Sequence, residues 1–244
     1  MTAPRRFSGD RRRSGVAPSW RRKGVTMHSS DTAELLDLVG ALFSLDPEDA
    51  RMQPVLAELA RQSATMASPG AGAGETSHIL ARLGRPFDRA ALHRTYMDLF
   101  VGPAPLEAPP WGSVHLDVER SLYGPSTLRL RDFLIREGIA AQAPSSGPED
   151  HFGTLCWIGA WLVTEERLDS FDELLGQHLL PWAPRYLRTL RLAAQARVTS
   201  GEETAAFYAD AAALAESVLR GVAGHRAVPF PQDAPAAIPD RQEQ

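Results

Sequence analysis

Two stretches of the chain concentrate the residue types that do chemistry. Residues 96–119 read YMDLFVGPAPLEAPPWGSVHLDVE and residues 148–155 read PEDHFGTL, so aromatics, prolines and carboxylates fall close together. Asp117, Glu119 and Asp150 are anions that can take a guanidinium through charge-assisted hydrogen bonds, and Trp111 and Tyr96 offer ring faces on which such a cation stacks. That chemistry is recognition. The usual marks of turnover are missing: the sequence holds no Gly-rich phosphate loop, no nucleophile elbow, no HExxH and no paired zinc-ligand motif. Asp117, Glu119, Asp150 and His151 carry donors that suit several divalent ions, but their spacing follows no recognised ligand pattern. A metal-dependent hydrolase on a helical bundle, with His151 and the carboxylates activating water, is therefore the weakest reading.

Each of these residues also has a structural use. Tyr96, Leu99 and Phe100 lie at core spacing on a helix. Gly102 and the neighbouring prolines make turns, and Trp111 in a Pro-rich loop either seals the core or lines a groove. Asp150 can cap the helix it precedes, and His151 can be a satisfied structural histidine. Cys156, on the same helix, reads as a small buried apolar residue.

The elements that must position them are helical throughout. Leu35, Leu38, Val39, Leu42 and Phe43 recur at helical spacing after a cap at Ser30 or Asp31, and Asp46-Pro47-Glu48-Asp49 opens a second helix through Val55, Leu56, Leu59 and Met66. Helices are predicted over residues 77–83 and from near Pro86 to Phe100, stopped by Gly102-Pro103. Residues 103–113 must be loop. Helix resumes from Val114 or Pro125 to Glu137, closed by Gly138, and again from Pro148-Glu149-Asp150, where proline and acids suit a first turn. Further helices are expected over residues 171–180, 182–196 and 202–219. Nothing alternates like a strand, so the predicted fold class is all-α: a single compact domain of eight to ten helices.

Charge and composition divide the chain unevenly. Its 244 residues suit one domain, and 43% hydrophobic residues suffice for one core. Residues 1–26 hold eight basic side chains against Asp10 alone and read as a disordered basic tail, with Met27 as the alternative start. The remainder carries 18 basic and 29 acidic residues, which favours a cationic partner over nucleic acid. The Arg5-Arg6-Phe7 run resembles a twin-arginine export signal, yet no apolar stretch of signal length follows it. With a single cysteine and no run long enough to span a bilayer, the expected setting is the cytoplasm, without stable membrane insertion. The domain is placed at residues 27–225, and residues 226–244 form a Pro-rich tail expected to be disordered.

Taken together, Tyr96, Leu99-Phe100, Gly102-Pro103, Pro110-Trp111, Ser113-Val114, Leu116-Asp117 and Glu119, followed by Pro148-Glu149-Asp150-His151, resemble the TorD/DmsD family of redox-enzyme maturation chaperones. The resemblance spans most of residues 31–220. It implies an all-helical protein that is not an enzyme, needs no cofactor, and binds the leader or N-terminal peptide of a molybdopterin oxidoreductase catalytic subunit, as monomer or dimer. The resemblance carries leader contact to Asp150 and His151. The peptide-binding residues expected are then Tyr96, Leu99, Phe100, Pro110, Trp111, Ser113, Asp117, Glu119, Asp150 and His151. The alternative within the same superfamily is a nitrate-reductase-type assembly chaperone whose client stays in the cytoplasm.

Overall fold

Apolar residues three and four apart, punctuated by proline and glycine, make ten α-helices among the described residues. The computed structural model describes residues 5–7, 29–66, 74–141 and 147–231. The helices are α1 (Ser29–Ser44), α2 (Met52–Met66), α3 (Glu75–Leu83), α4 (Arg89–Tyr96), α5 (Gly112–Leu116), α6 (Pro125–Arg136), α7 (Phe152–Thr164), α8 (Leu168–Glu173), α9 (Ala183–Thr199) and α10 (Ala205–Arg226). Two π-helical turns, Met97–Val101 and Leu174–Leu179, continue α4 and α8. The all-α expectation holds. Boundaries follow local chemistry: Asp88 caps α4 by accepting from the Ala91 N–H, and Pro125 sits in the first turn of α6.

One short sheet departs from the expectation of no strands. Arg5–Phe7 (β1) pairs in parallel with Ile139–Ala141 (β2), with Arg5 opposite Ile139. Three residues are too few to show alternation in a sequence, so no pattern could have announced the pair. The rest of the basic tail with Met27, residues 67–73, residues 142–146 and residues 232–244 lie outside the described residues, and most of both predicted tails goes with them. Val228 and Phe230, assigned to the C-terminal tail by composition, pack on the core, and the Arg220 guanidinium lies 4.3 Å from the Phe230 ring centre.

The core is organised around α7. Its sequence FGTLCWIGAWLVT has no charged residue, and eleven of its side-chain positions are buried, so it is wrapped on every side. α1 lies along it at close range. A Cβ on Gly40 would sit 2.4 Å from the Trp157 ring, and one on Gly153 would sit 2.8 Å from the Gly40 carbonyl oxygen. Two glycines thus set the separation of the central helices, and a side chain at either would push them apart. α10 packs against α9, α3 and α1.

Through this core runs a line of ring contacts: Tyr96 to Phe100 at 5.2 Å, Phe100 to Phe43 at 6.0 Å, Phe43 to Phe152 at 4.7 Å, Phe152 to Trp182 at 6.1 Å, and Trp182 to His115 at 5.2 Å. Such pairs add about 0.5–1.5 kcal/mol each beyond their burial. They connect the start of the first chemically loaded stretch to its end through the middle of the protein. No helix among the described residues is long and apolar enough to cross a membrane.

Candidate functional site

A Pro-rich loop, residues 102–111, hangs between the π-helical turn after α4 and the start of α5, and its two ends are held differently. At the first end the Gly102 N–H donates to the Met97 carbonyl at 2.8 Å, closing the π turn, and Gly102 takes φ +96°, a left-handed conformation that glycine adopts without steric cost. At the second end the backbone of Trp111 bridges that of His151: the Phe152 N–H donates to the Pro110 carbonyl at 2.8 Å and the Gly112 N–H to the Asp150 carbonyl at 3.0 Å. Residues 148–151 are therefore not the first turn of a helix, as their proline and acids suggested. They pair with the loop, and α7 begins at Phe152.

Asp150 and His151 finish this lock with their side chains. Asp150 Oδ2 accepts from the Ser113 N–H at 2.6 Å and the Thr127 hydroxyl at 3.2 Å, tying the first turns of α5 and α6 to the segment before α7. The residue is 4% exposed, and burial pushes its carboxyl above the ordinary range against the pull of those donors. Its Oδ1 is buried with no hydrogen-bond partner among the described residues. His151, not Asp150, caps α7: its Nδ1 accepts from the Gly153 N–H at 3.2 Å. An accepting Nδ1 requires the neutral ring, and burial holds the imidazole neutral by pushing its pKa down to about 4.

The neighbouring carboxylates divide in the same way. Asp117 accepts from the Ser126 N–H and, at 2.7 Å, from its hydroxyl, holding the first turn of α6 from the start of the loop that leads into it. Glu119 stands exposed on that loop. Beside Asp150 lies a cavity of about 20 Å³, lined by Gly112, Ser126, Arg129, Leu130 and His178 among others. That is room for one water and not for a guanidinium.

On the other side of the loop the space is larger. A cavity of about 300 Å³ is lined by Asp98, Leu99, Gly102, Pro103, Ala104, Pro105, Glu107 and Arg197. Leu99 is 3% exposed and, with the prolines, supplies an apolar lining. The side chains of Asp98 and Glu107 are 53% and 56% exposed, at distances of 3.6 and 3.5 Å from the Arg197 guanidinium. An apolar lining with two open carboxylates suits a peptide segment that carries cations beside apolar residues.

The structure brings Pro110, Trp111, Ser113, Asp117, Asp150 and His151 into one cluster. Trp111 is partly exposed, with its ring 5.7 Å from His151 and its buried Nε1 without a hydrogen-bond partner among the described residues. Tyr96 and Phe100 stand apart from the cluster and pack against Tyr208, and burial pushes the Tyr96 phenol up to about 12. Leu99 joins the core and the larger cavity at once. Asp98, Glu107 and Arg197 escaped the sequence reading. The first two lie inside the stretch it singled out, whereas Arg197 lies 90 residues beyond Glu107, with no local signal. Among the described residues no group of three or more His, Cys, Asp or Glu could hold a metal ion.

The helical scaffold thus fastens one end of a Pro-rich loop and opens an acid-bearing cavity at the other, and comparison with known proteins gives its class as that of the redox-enzyme maturation chaperones. Residues 52–188 match the family described as nitrate reductase delta subunit. The chain is 35% identical over 161 residues to the Tat proofreading chaperone DmsD of Salmonella typhi, covering 66% of this chain and 78% of that protein. It is 37% identical over 155 residues to the probable Tat proofreading chaperone DmsD of Haemophilus influenzae, covering 63% and 75%. The chaperone protein TorD of Aliivibrio fischeri is 27% identical over 114 residues, covering 42% of this chain and 53% of its own. The chain belongs to the TorD/DmsD family of redox-enzyme maturation chaperones.

Proposed function

We propose that this protein acts in the cytoplasm, binding the leader or N-terminal peptide of a molybdopterin oxidoreductase catalytic subunit and holding it while cofactor insertion and assembly proceed, before export. The observation that carries the reading is the 300 Å³ cavity with Asp98 and Glu107 at its edge and Leu99 and the prolines in its lining. A twin-arginine leader presents adjacent guanidiniums beside an apolar segment, and this cavity offers matching surface to both. The names of the relatives, Tat proofreading chaperones, support the same reading.

In this reading Asp98 and Glu107 meet the guanidiniums, Leu99 meets the apolar part, and the exposed portion of Trp111 extends the surface. Pro110, Ser113, Asp117, Asp150 and His151 contribute by positioning the loop, Tyr96 and Phe100 by packing beneath it, and Glu119 by adding negative charge outside it. Ordering a flexible leader offsets part of the contact energy, so binding is reversible, with Kd on the order of micromolar. The family description as a nitrate reductase delta subunit favours one second reading, a client that remains in the cytoplasm and lacks the arginine pair.

Calorimetric titration of the full chain with a synthetic twin-arginine leader of a molybdoenzyme, and with the same peptide carrying glutamines for the arginines, tests the proposal. Saturable binding that the glutamine peptide loses supports it. Equal binding of both peptides favours the second reading, and binding of neither overturns the leader-binding claim.

A further inference from the structure

We propose that Arg197 is an internal occupant of the acid-edged cavity, and that an arginine of the bound peptide displaces it; the inference rests on the leader-binding reading above. Arg197 projects from α9 toward three carboxylates. Its Nη1 lies 3.6 Å from Asp98 Oδ2 and 3.4 Å from Glu202 Oε2, and its Nη2 lies 3.5 Å from Glu107 Oε1. Its Nε is buried and has no hydrogen-bond partner among the described residues. Nothing about this arrangement is committed. Elsewhere in the same molecule Arg226 grips Asp172 with two hydrogen bonds of 2.7 Å, and Arg131 meets Glu149 at 2.9 Å. Those distances are what a settled charge-assisted pair shows, about 2.7–2.9 Å, while every contact of Arg197 is longer.

The charges explain why the arrangement can open. Three carboxylates share one guanidinium, so the cluster retains net negative charge and can accept a further cation. The three are not equivalent. Glu202 is anchored, taking the Thr95 hydroxyl as well as Arg197, and its side chain is 33% exposed. Asp98 and Glu107 border the cavity and are more than half exposed. An arriving guanidinium therefore takes Asp98 and Glu107, and Arg197 falls back on Glu202. In the free protein the contact with Glu107 tethers the loop to α9; in the complex the peptide takes over that tether. Arg197 thereby sets a threshold that a planar, five-donor guanidinium passes more readily than a lysine ammonium.

The test uses the full chain and its Arg197→Gln and Arg197→Lys variants, first confirmed to melt as the parent does. Removing the internal competitor should tighten the twin-arginine peptide by about three- to tenfold in Arg197→Gln, the scale of one or two partly exposed ion pairs, with Arg197→Lys between it and the parent. Unchanged or weaker binding by a folded Arg197→Gln protein overturns the proposal. Hydrogen exchange of Gly102, Ala104, Leu106 and Glu107, the residues of this segment that carry an amide N–H, supplies a readout that needs no client: these amides should exchange faster in Arg197→Gln, and millimolar argininamide should restore their protection. If no leader peptide binds even the parent but argininamide restores protection, the arginine site stands and the leader reading fails. If leader peptide binds but loop exchange ignores both the substitution and argininamide, the displacement claim fails and the leader reading stands.

Discussion

The two ends of the loop at residues 102–111 carry carboxylates of the same chemistry in opposite circumstances. Asp150 is 4% exposed, spends Oδ2 on the donors of Ser113 and Thr127, and faces a cavity of about 20 Å³. Asp98 and Glu107 are more than half exposed and border about 300 Å³. Burial and available volume separate what residue type left open: the Trp111 end, with Asp150, fastens the loop, and the Gly102 end, with Asp98 and Glu107, is the one proposed to receive a partner.

The contrast is broken most severely at the fastened end. Asp150→Ala removes two hydrogen bonds to a charged acceptor and strands the Ser113 N–H in the interior, a loss of about 3 kcal/mol after relief of the carboxylate's own burial is allowed for. Calorimetry should show a melting temperature lower by roughly 6–12 °C for a chain of this length; a shift under about 2 °C would mean that Asp150 fastens nothing.

Next in size is a pH effect confined to the same end. The His151 imidazole titrates near 4 in the folded protein against an ordinary 6.5. Between those values the unfolded chain holds a proton that the folded protein refuses, so stability falls as pH drops through this window, by up to about 3 kcal/mol. Urea unfolding at about pH 7 and about pH 4.5 should show the loss in the parent and a much shallower one in His151→Asn, which keeps a capping oxygen. Equal slopes would remove His151 from the lock.

The open end should respond in affinity and not in stability. Asp98→Asn with Glu107→Gln is expected to weaken binding of a twin-arginine peptide about tenfold while the melting temperature stays within about 1 °C. A large loss of stability with unchanged binding would exchange the two roles. The smallest effect belongs to Glu119→Gln: this exposed acid is placed in neither cavity, so peptide affinity should change less than about twofold. A larger change would extend the receiving surface past Trp111.

Much of the fold was legible because helical periodicity is written locally. Leu35, Leu38, Val39 and Leu42 mark α1, and the uncharged run from Phe152 marks a helix buried on all sides. Pro148 misled because Asp150 and Phe152 after it pair with Gly112 and Pro110, partners 38 and 42 positions earlier that no local preference reveals. The five residues of α5 are too few to display a period. At the site, Tyr96, Leu99 and Phe100, expected to bind peptide with core packing as their structural alternative, lie in the core, and Asp150 and His151, expected to touch the leader, are buried beside Trp111 and Ser113. Their work as a lock, and the part of Arg197, depended on tertiary distances that a linear pattern does not contain.

The π-helical turn at Met97–Val101 has a consequence for engineering. A π turn is one residue longer than the α turn it replaces, and each helical residue advances about 100°. Deleting the codon for Met97 would let α4 continue as a regular helix with Asp98 one position earlier, turning its carboxylate by about that angle about the axis and away from the cavity. Length, at this point in the chain, fixes where the Asp98 carboxylate stands as firmly as the identity of any side chain does.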